Sequence, residues 1–148
     1  MRSAESIFKQ YLKQKELLCS KQREQVLDAF MKVKSHPTIN DLYNAVRKKN
    51  PEIGLATVYR AMGVICEAGL AREVDFGDRV RRFERKYRHQ HHHHLVCIEC
   101  GRIIEVTSPE LERLQRKLAR QHNFAHTRDT MKIFGICSKC KRSKKQQS

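Results

Sequence analysis

Two Cys-x-x-Cys pairs, Cys97-Ile-Glu-Cys100 and Cys137-Ser-Lys-Cys140, constrain this chain more than any other feature. Each pair presents two thiols from one tight turn, and four thiolates suit a single tetrahedral Zn²⁺. Residues 101–136 are too many for the short loop of a zinc ribbon, so a folded element must carry the second pair back to the first. The segment contains one. It reads as a strand over 103–106, Ser108 as N-cap with Pro109 at the first helical position, a helix over 109–121 with Leu111, Leu114 and Leu118 on one face, and a strand over 130–136. With Leu95-Val96 extended before it, the order is strand, strand, helix, strand. A thiol redox switch and plain burial of the cysteines are the competing readings. Cys19 and Cys66 belong to no such pair and read as small core residues.

Reading thiol pairs as metal ligands presupposes a reducing compartment. The N-terminus is charged from its second residue, unlike a secretory signal, and no apolar run reaches the roughly 18 residues of a membrane span. A cytoplasmic protein without membrane attachment is expected. The charge then points to a partner. The chain has 31 Lys and Arg against 16 Asp and Glu, a formal net charge of +15, which suits a polyanion and nucleic acid first. Residues 1–86 carry 18 basic and 11 acidic side chains, and residues 87–148 carry 13 and 5, so both halves contribute. Lys139, Lys141, Arg142, Lys144 and Lys145, around Cys140, read as a solvated, disordered tail.

The first half reads as three or four helices followed by a hairpin. A leading helix falls within 3–17. Val26, Leu27, Phe30 and Met31 form a stripe over 22–33, and Ile39, Leu42, Tyr43 and Val46 follow helical spacing after the capping pattern Thr38-x-x-Asp41. Leu55, Val58, Met62 and Ile65 mark a helix over 55–68 that stops at Gly69. Strands over 70–76 and 80–84, joined by a tight turn at Gly77-Asp78, complete the order of a winged helix-turn-helix. In that motif the last helix enters the major groove and the hairpin touches the backbone. The exposed face of helix 55–68 includes Ala56, Thr57, Tyr59 and Arg60, and the hairpin adds Arg79, Arg81 and Arg82. Tyr59 reads equally as a core tyrosine under the helix.

His91-His92-His93-His94 is the remaining chemical feature. On an extended backbone His92 and His94 face one way and His91 and His93 the other, which makes two back-to-back half-sites better than one cluster. An accidental histidine tract is the alternative. With Glu84, Glu105 and Glu112 nearby, mixed nitrogen and oxygen ligands suit Fe²⁺, Mn²⁺, Co²⁺ or Zn²⁺. No paired acid and base, nucleophile motif or phosphate-binding glycine loop is present, so an enzyme acting on a small-molecule substrate is not expected.

Three linked segments, Glu52-Ile-Gly-Leu-Ala-Thr-Val-Tyr-Arg60, His92-His-His-Leu-Val-Cys-Ile-Glu-Cys-Gly101 and Ile104-Glu-Val106, resemble the ferric uptake regulator (Fur) family of bacterial metal-dependent repressors. The resemblance covers nearly the whole chain and implies an α+β protein. Residues 1–86 would form a winged-helix DNA-binding domain with a hinge at its end. Residues 87–148 would form a small α/β dimerisation domain with a structural Zn(Cys)₄ site at Cys97, Cys100, Cys137 and Cys140. It also implies a regulatory metal on His36, Glu84, His92, His94 and Glu105. A second site would match His91, His93, Glu112 and Asp129, with Asp usual at position 93 and His at position 129, and with His122 or His126 as substitutes. For DNA, Arg23, Thr57, Tyr59 and Arg60 match the reading face, and Lys13, Lys15 and Lys21 lie nearest to Leu18, where the family often has a Lys. The implied partners are a palindromic AT-rich operator and a second copy of the chain, as a dimer or a tetramer. Fe²⁺ is favoured as the regulatory metal over Mn²⁺ or Zn²⁺. Peroxide sensing within the family, a metal store and a thiol switch are the alternatives.

Overall fold

The computed structural model describes residues 3–87 and 92–146. Backbone contacts divide the chain into two units, Met1–His89 and Gln90–Ser148.

In the first unit, polar caps and apolar stripes set the helices. Ser3 caps α1 (Ala4–Gln14), which buries Ala4, Phe8 and Leu12 at helical spacing, and Ser20 caps α2 (Lys21–Lys32), which buries Val26, Leu27 and Phe30. α3 (Ile39–Arg47) opens on a full capping box: Thr38 Oγ1 accepts the Asp41 N–H at 3.1 Å, and the Asp41 carboxylate accepts the Thr38 N–H at 2.8 Å. α4 (Leu55–Glu67) contributes Val58, Ala61, Met62 and Ile65 to the same core. It ends in a Schellman motif, with Leu70 N–H on Ile65 O and Gly69 N–H on Cys66 O. That closure needs the left-handed φ of +74° at Gly69, which a glycine adopts without a Cβ penalty.

Strands β1 (Ala71–Val74) and β2 (Arg82–Arg85) pair antiparallel from Ala71 with Arg85 to Val74 with Arg82. The connection is not the expected tight turn at Gly77-Asp78. It is a loop over 75–81, and Val80 lies exposed outside the strand. Two aspartates decide this: Asp75 accepts the Gly77 N–H at 2.7 Å and Asp78 the Val80 N–H at 3.1 Å, so the backbone is satisfied locally and the ladder stops early. Phe83 on β2 enters the helical core, and its N–H bonds to Pro37 O at 2.9 Å, tying the segment before α3 to the hairpin. Cys19 departs from its expected core position. It is exposed beside Ser20, because the turn between α1 and α2 lies outside the packed stripes, whereas Cys66 is half-buried against the core.

The second unit has a three-stranded sheet in the order β4-β3-β5. β3 (His93–Cys97) runs antiparallel to β4 (Ile103–Val106) and parallel to β5 (Lys132–Gly135), which requires the crossover that α5 (Pro109–Gln121) supplies. Ser108 caps α5 through the Leu111 N–H. The basic C-terminal segment is a helix, α6 (Ser138–Gln146), and not a disordered tail. Cys137 stands at its N-cap, where its thiol accepts the Cys140 N–H and its carbonyl accepts the Lys141 N–H at 2.9 Å. A thiolate complements the partial positive charge of a helix N-terminus, so the second cysteine pair anchors a turn that composition alone assigns to solvent.

Apolar cover is uneven between the units. α5 buries no residue; Leu114 and Leu118 on the helix, Phe124 after it, and Ile133 and Phe134 on β5 are all more than half exposed.

Candidate metal centres and nucleic-acid face

The tight turn after β3 and the N-terminus of α6 bring the two cysteine pairs together. Cys97 Sγ lies 4.0 Å from Cys140 Sγ and Cys100 Sγ 3.8 Å from Cys137 Sγ, and all four sulfurs lie within 4.8 Å of one another. A tetrahedron with Zn–S bonds of about 2.3 Å has S···S edges of about 3.8 Å, so the set fits zinc in number, chemistry and spacing. The thiols are not equivalent. The Cys137 and Cys100 backbone N–H groups hold Cys97 down at about 6, while Cys140, bonded to the Cys137 and Cys100 thiols, is pushed up to about 12. Crowded thiols resist losing the last proton, and a divalent cation removes that resistance.

A different donor set lies in the first unit. His36 and Glu84 are both buried, and His36 Nε2 lies 3.2 Å from Glu84 Oε2. His36 leaves α2 through Ser35, at φ +72°, and is held extended by the following Pro37. Its ring meets the edge of Phe76 at 5.2 Å. Glu84 sits on β2 beside Phe83, facing the opposite way, and its other carboxylate oxygen pairs with the Arg72 guanidinium from the cross-strand position. One imidazole and one carboxylate at contact distance offer a cation two hard or borderline ligands.

In the second unit, His92 and His94 share a face, with ring centroids 4.8 Å apart. Glu105 is the cross-strand partner of His94, and its Oε1 lies 3.9 Å from His92 Nε2. Two imidazoles and a carboxylate thus converge on one side of the sheet. His93 is wholly buried and faces the other side. Of its expected companions, Glu112 lies in the first turn of α5 and Asp129 in the segment before β5, bonded to His126. His122 is the C-cap residue of α5. His91 lies outside the described residues.

The exposed face of α4 carries Tyr59 and Arg60, with Thr57 half-buried beside them. Tyr59 is 51% exposed and is therefore not a core tyrosine. Arg81 Nη1 donates to Tyr59 Oη at 2.6 Å, while its Nε and Nη2 each donate to a Glu73 oxygen at 2.6 Å, an arrangement that holds the Glu73 carboxyl below the ordinary carboxylate range. Arg82 is similarly held by Asp78. Arg23 is half-buried and donates to Leu18 O, so one arm of its guanidinium fixes the turn between α1 and α2. Lys15, at the C-cap of α1, and Lys21, which opens α2, are exposed on either side of that turn, as is Lys13.

Sequence reasoning missed Arg72 on Glu84 and the Glu73–Arg81–Tyr59 set. A tight turn at Gly77-Asp78 would have misaligned the strands, whereas the true register puts Arg72 opposite Glu84. The paired aspartates at 75 and 78 were the available signal for a longer loop.

Residues 14–134 match the sequence model of the Ferric uptake regulator family. The ferric uptake regulation protein of Campylobacter jejuni is 34% identical over 139 residues, covering 93% of this chain and 88% of its own. The peroxide-responsive repressor PerR of Staphylococcus epidermidis is 31% identical over 120 residues, 81% of this chain and 79% of its own. The structure of the Helicobacter pylori ferric uptake regulator, which has three functional metal binding sites, aligns with a TM-score of 0.85 at 26% identity over 95% of each chain. With cysteine, histidine and carboxylate sets assembled on a winged helix and a mixed sheet, the chain belongs to the ferric uptake regulator family of metal-responsive repressors.

Proposed function

We propose that this chain is a cytoplasmic homodimer that represses metal-uptake genes by binding a palindromic AT-rich operator when loaded with Fe²⁺. Residues 1–86 bind DNA and residues 87–148 dimerise. The observation that carries the reading is the buried His36–Glu84 pair, a half-built metal site inside the same unit that exposes Tyr59 and Arg60 on α4. His92, His94 and Glu105 supply the complementary half. Bound there, the ion supplies a charge that both half-sites share. An ion held by His36 and Glu84 together with His92, His94 and Glu105 would fix the angle of each winged helix and so favour the arrangement that spans two operator half-sites. Cys97, Cys100, Cys137 and Cys140 hold structural zinc. His91, His93, Glu112 and Asp129, with His126, form a second site.

Dimerisation follows from what the second unit leaves uncovered. Leu114 and Leu118 on α5, and Ile133 and Phe134 on the two faces of β5, are exposed apolar side chains that a second copy of the unit would cover. Arg23, Thr57, Tyr59, Arg60, Lys15 and Lys21 contact DNA; a tetramer would pair two such dimers on longer operators.

Gel shift on such an operator with and without Fe²⁺ or Mn²⁺ tests the reading. Metal-dependent binding is expected, lost in Arg60→Ala and in His92→Ala, with zinc content unchanged in both. Binding that ignores metal refutes it. The similarity to a peroxide-responsive repressor supports a second reading, peroxide sensing, in which hydrogen peroxide releases the Fe²⁺-loaded but not the Mn²⁺-loaded protein from DNA.

A further inference from the structure

Three arginines on the hairpin, Arg79, Arg81 and Arg82, face very different surroundings. Arg82 is paired with both oxygens of Asp78, at 2.8 and 2.7 Å, and lies over the Phe76 ring. Arg81 is paired with both oxygens of Glu73, and its third bond goes across to α4, to the hydroxyl of Tyr59. Its guanidinium also lies 5.6 Å from the Tyr59 ring centroid. Arg79 stands at the loop tip with a left-handed φ of +61°, exposed, and among the described residues no carboxylate holds it.

The direction of the Arg81–Tyr59 bond matters. A guanidinium only donates, so Tyr59 Oη is the acceptor and its own proton remains to be given away. A phenol whose oxygen already accepts a charged hydrogen bond is also a better donor. Glu73 holds Arg81 in a planar two-pronged grip, which restricts where the third donor points.

We propose that Glu73 and Arg81 form a clamp that positions Tyr59 as a hydrogen-bond donor to an acceptor on DNA, and that the phosphate contact of the wing falls to Arg79. Arg81 is thus a positioning residue: its charge is satisfied within the protein and it acts through the tyrosine. The inference rests on α4 facing DNA, as proposed above.

Salt dependence separates the two kinds of arginine. Each phosphate neutralised contributes about 0.9 to the slope of log affinity against log salt. Arg79→Ala should lower that slope by about 1. Arg81→Ala should weaken metal-dependent operator binding on the order of fivefold and leave the slope unchanged. Glu73→Gln gives an opposite-sign test. If Arg81 were itself a phosphate contact, loosening its carboxylate would strengthen binding; as a clamp it must weaken it. Tyr59→Phe should weaken binding, and adding Arg81→Ala to it should cost little more, because both remove one interaction. Tighter binding by Glu73→Gln, or a reduced slope in Arg81→Ala, overturns the clamp, and an unchanged slope in Arg79→Ala overturns the phosphate assignment. The ¹³Cζ resonance of Tyr59 in the full-length protein without DNA is a further readout. It should shift in Arg81→Met, and an unmoved resonance overturns the clamp whether or not the wild type binds an operator. A wild type that binds no DNA while that resonance does shift refutes the repressor reading alone.

Discussion

Removing zinc should unfold the second unit while the first stays folded. Among the described residues of the unit, the apolar side chains that are buried are Val96 and Cys97, and full burial of residues of this size is worth about 1.5–3 kcal/mol each. Structural zinc held by thiolates contributes about 10–16 kcal/mol at pH 7, more than those burials combined and as much as a whole domain's usual margin of about 5–15 kcal/mol. The first unit rests on Phe8, Phe30, Leu27, Met62 and Ile65, a core cluster that includes none of Cys97, Cys100, Cys137 and Cys140. Hydrogen exchange read by mass spectrometry resolves the two. After treatment with a strong chelator, or in Cys100→Ser, amides of β3 and β5 should lose protection while those of α4 keep it, and gel filtration at micromolar concentration should show monomer. Binding the ion also displaces thiol protons, Cys140 being held near 12, so zinc affinity should fall as pH is lowered. Full protection of β3 and β5 in zinc-free, dimeric protein would refute the reasoning, because the sheet would then need no staple.

Other expectations are smaller. Arg72→Met leaves the buried Glu84 carboxylate without its guanidinium, and urea unfolding of protein that keeps its zinc but has no regulatory metal should show a loss of about 3 kcal/mol; an unchanged midpoint means the pair contributes nothing. Asp41→Asn removes the charge from the capping box while keeping an acceptor oxygen, and should cost up to about 1 kcal/mol at neutral pH. Thr38 holds the Asp41 carboxyl below its ordinary value, so that stability is complete above 3.8 and is lost as pH falls through the lower folded-state value. The difference between wild type and Asp41→Asn should therefore shrink on acidification, and a constant difference would rule out a charge-dependent cap. Leu118→Glu places a charge on the uncovered face of α5 and should shift sedimentation equilibrium toward monomer with the helical content of each chain retained.

The helices were legible because cap and stripe agree in one stretch of chain: Ser20 before Val26, Leu27 and Phe30, or Ser108 and Pro109 before α5. The hairpin loop was not, since whether Asp75 and Asp78 turn the backbone or face solvent depends on which ladder bonds form around them. The basic terminus was misread for a related reason. Its composition favours solvent, but Cys137 caps it as a helix once the sulfur lies at the zinc set. Glu84 and Glu105 could be named in sequence as carboxylates near histidines. What lies opposite them, Arg72 in one case and His94 in the other, is a matter of register.

By itself the sequence determined the chemistry on offer: four thiols in two turns, alternating histidines before a strand, a helix that carries Tyr59 and Arg60, and a large positive charge. These depend on residue type and on spacings of two, three or four, which local backbone geometry converts directly into faces and turns. The tertiary structure decided which groups meet. It set Cys97 beside Cys140 across a long crossover, His36 beside Glu84 from 48 residues away, and Arg81 between Glu73 and Tyr59. Those pairings depend on strand register and loop length, which no short stretch of sequence specifies, because the free energies that select them come from burying distant residues together.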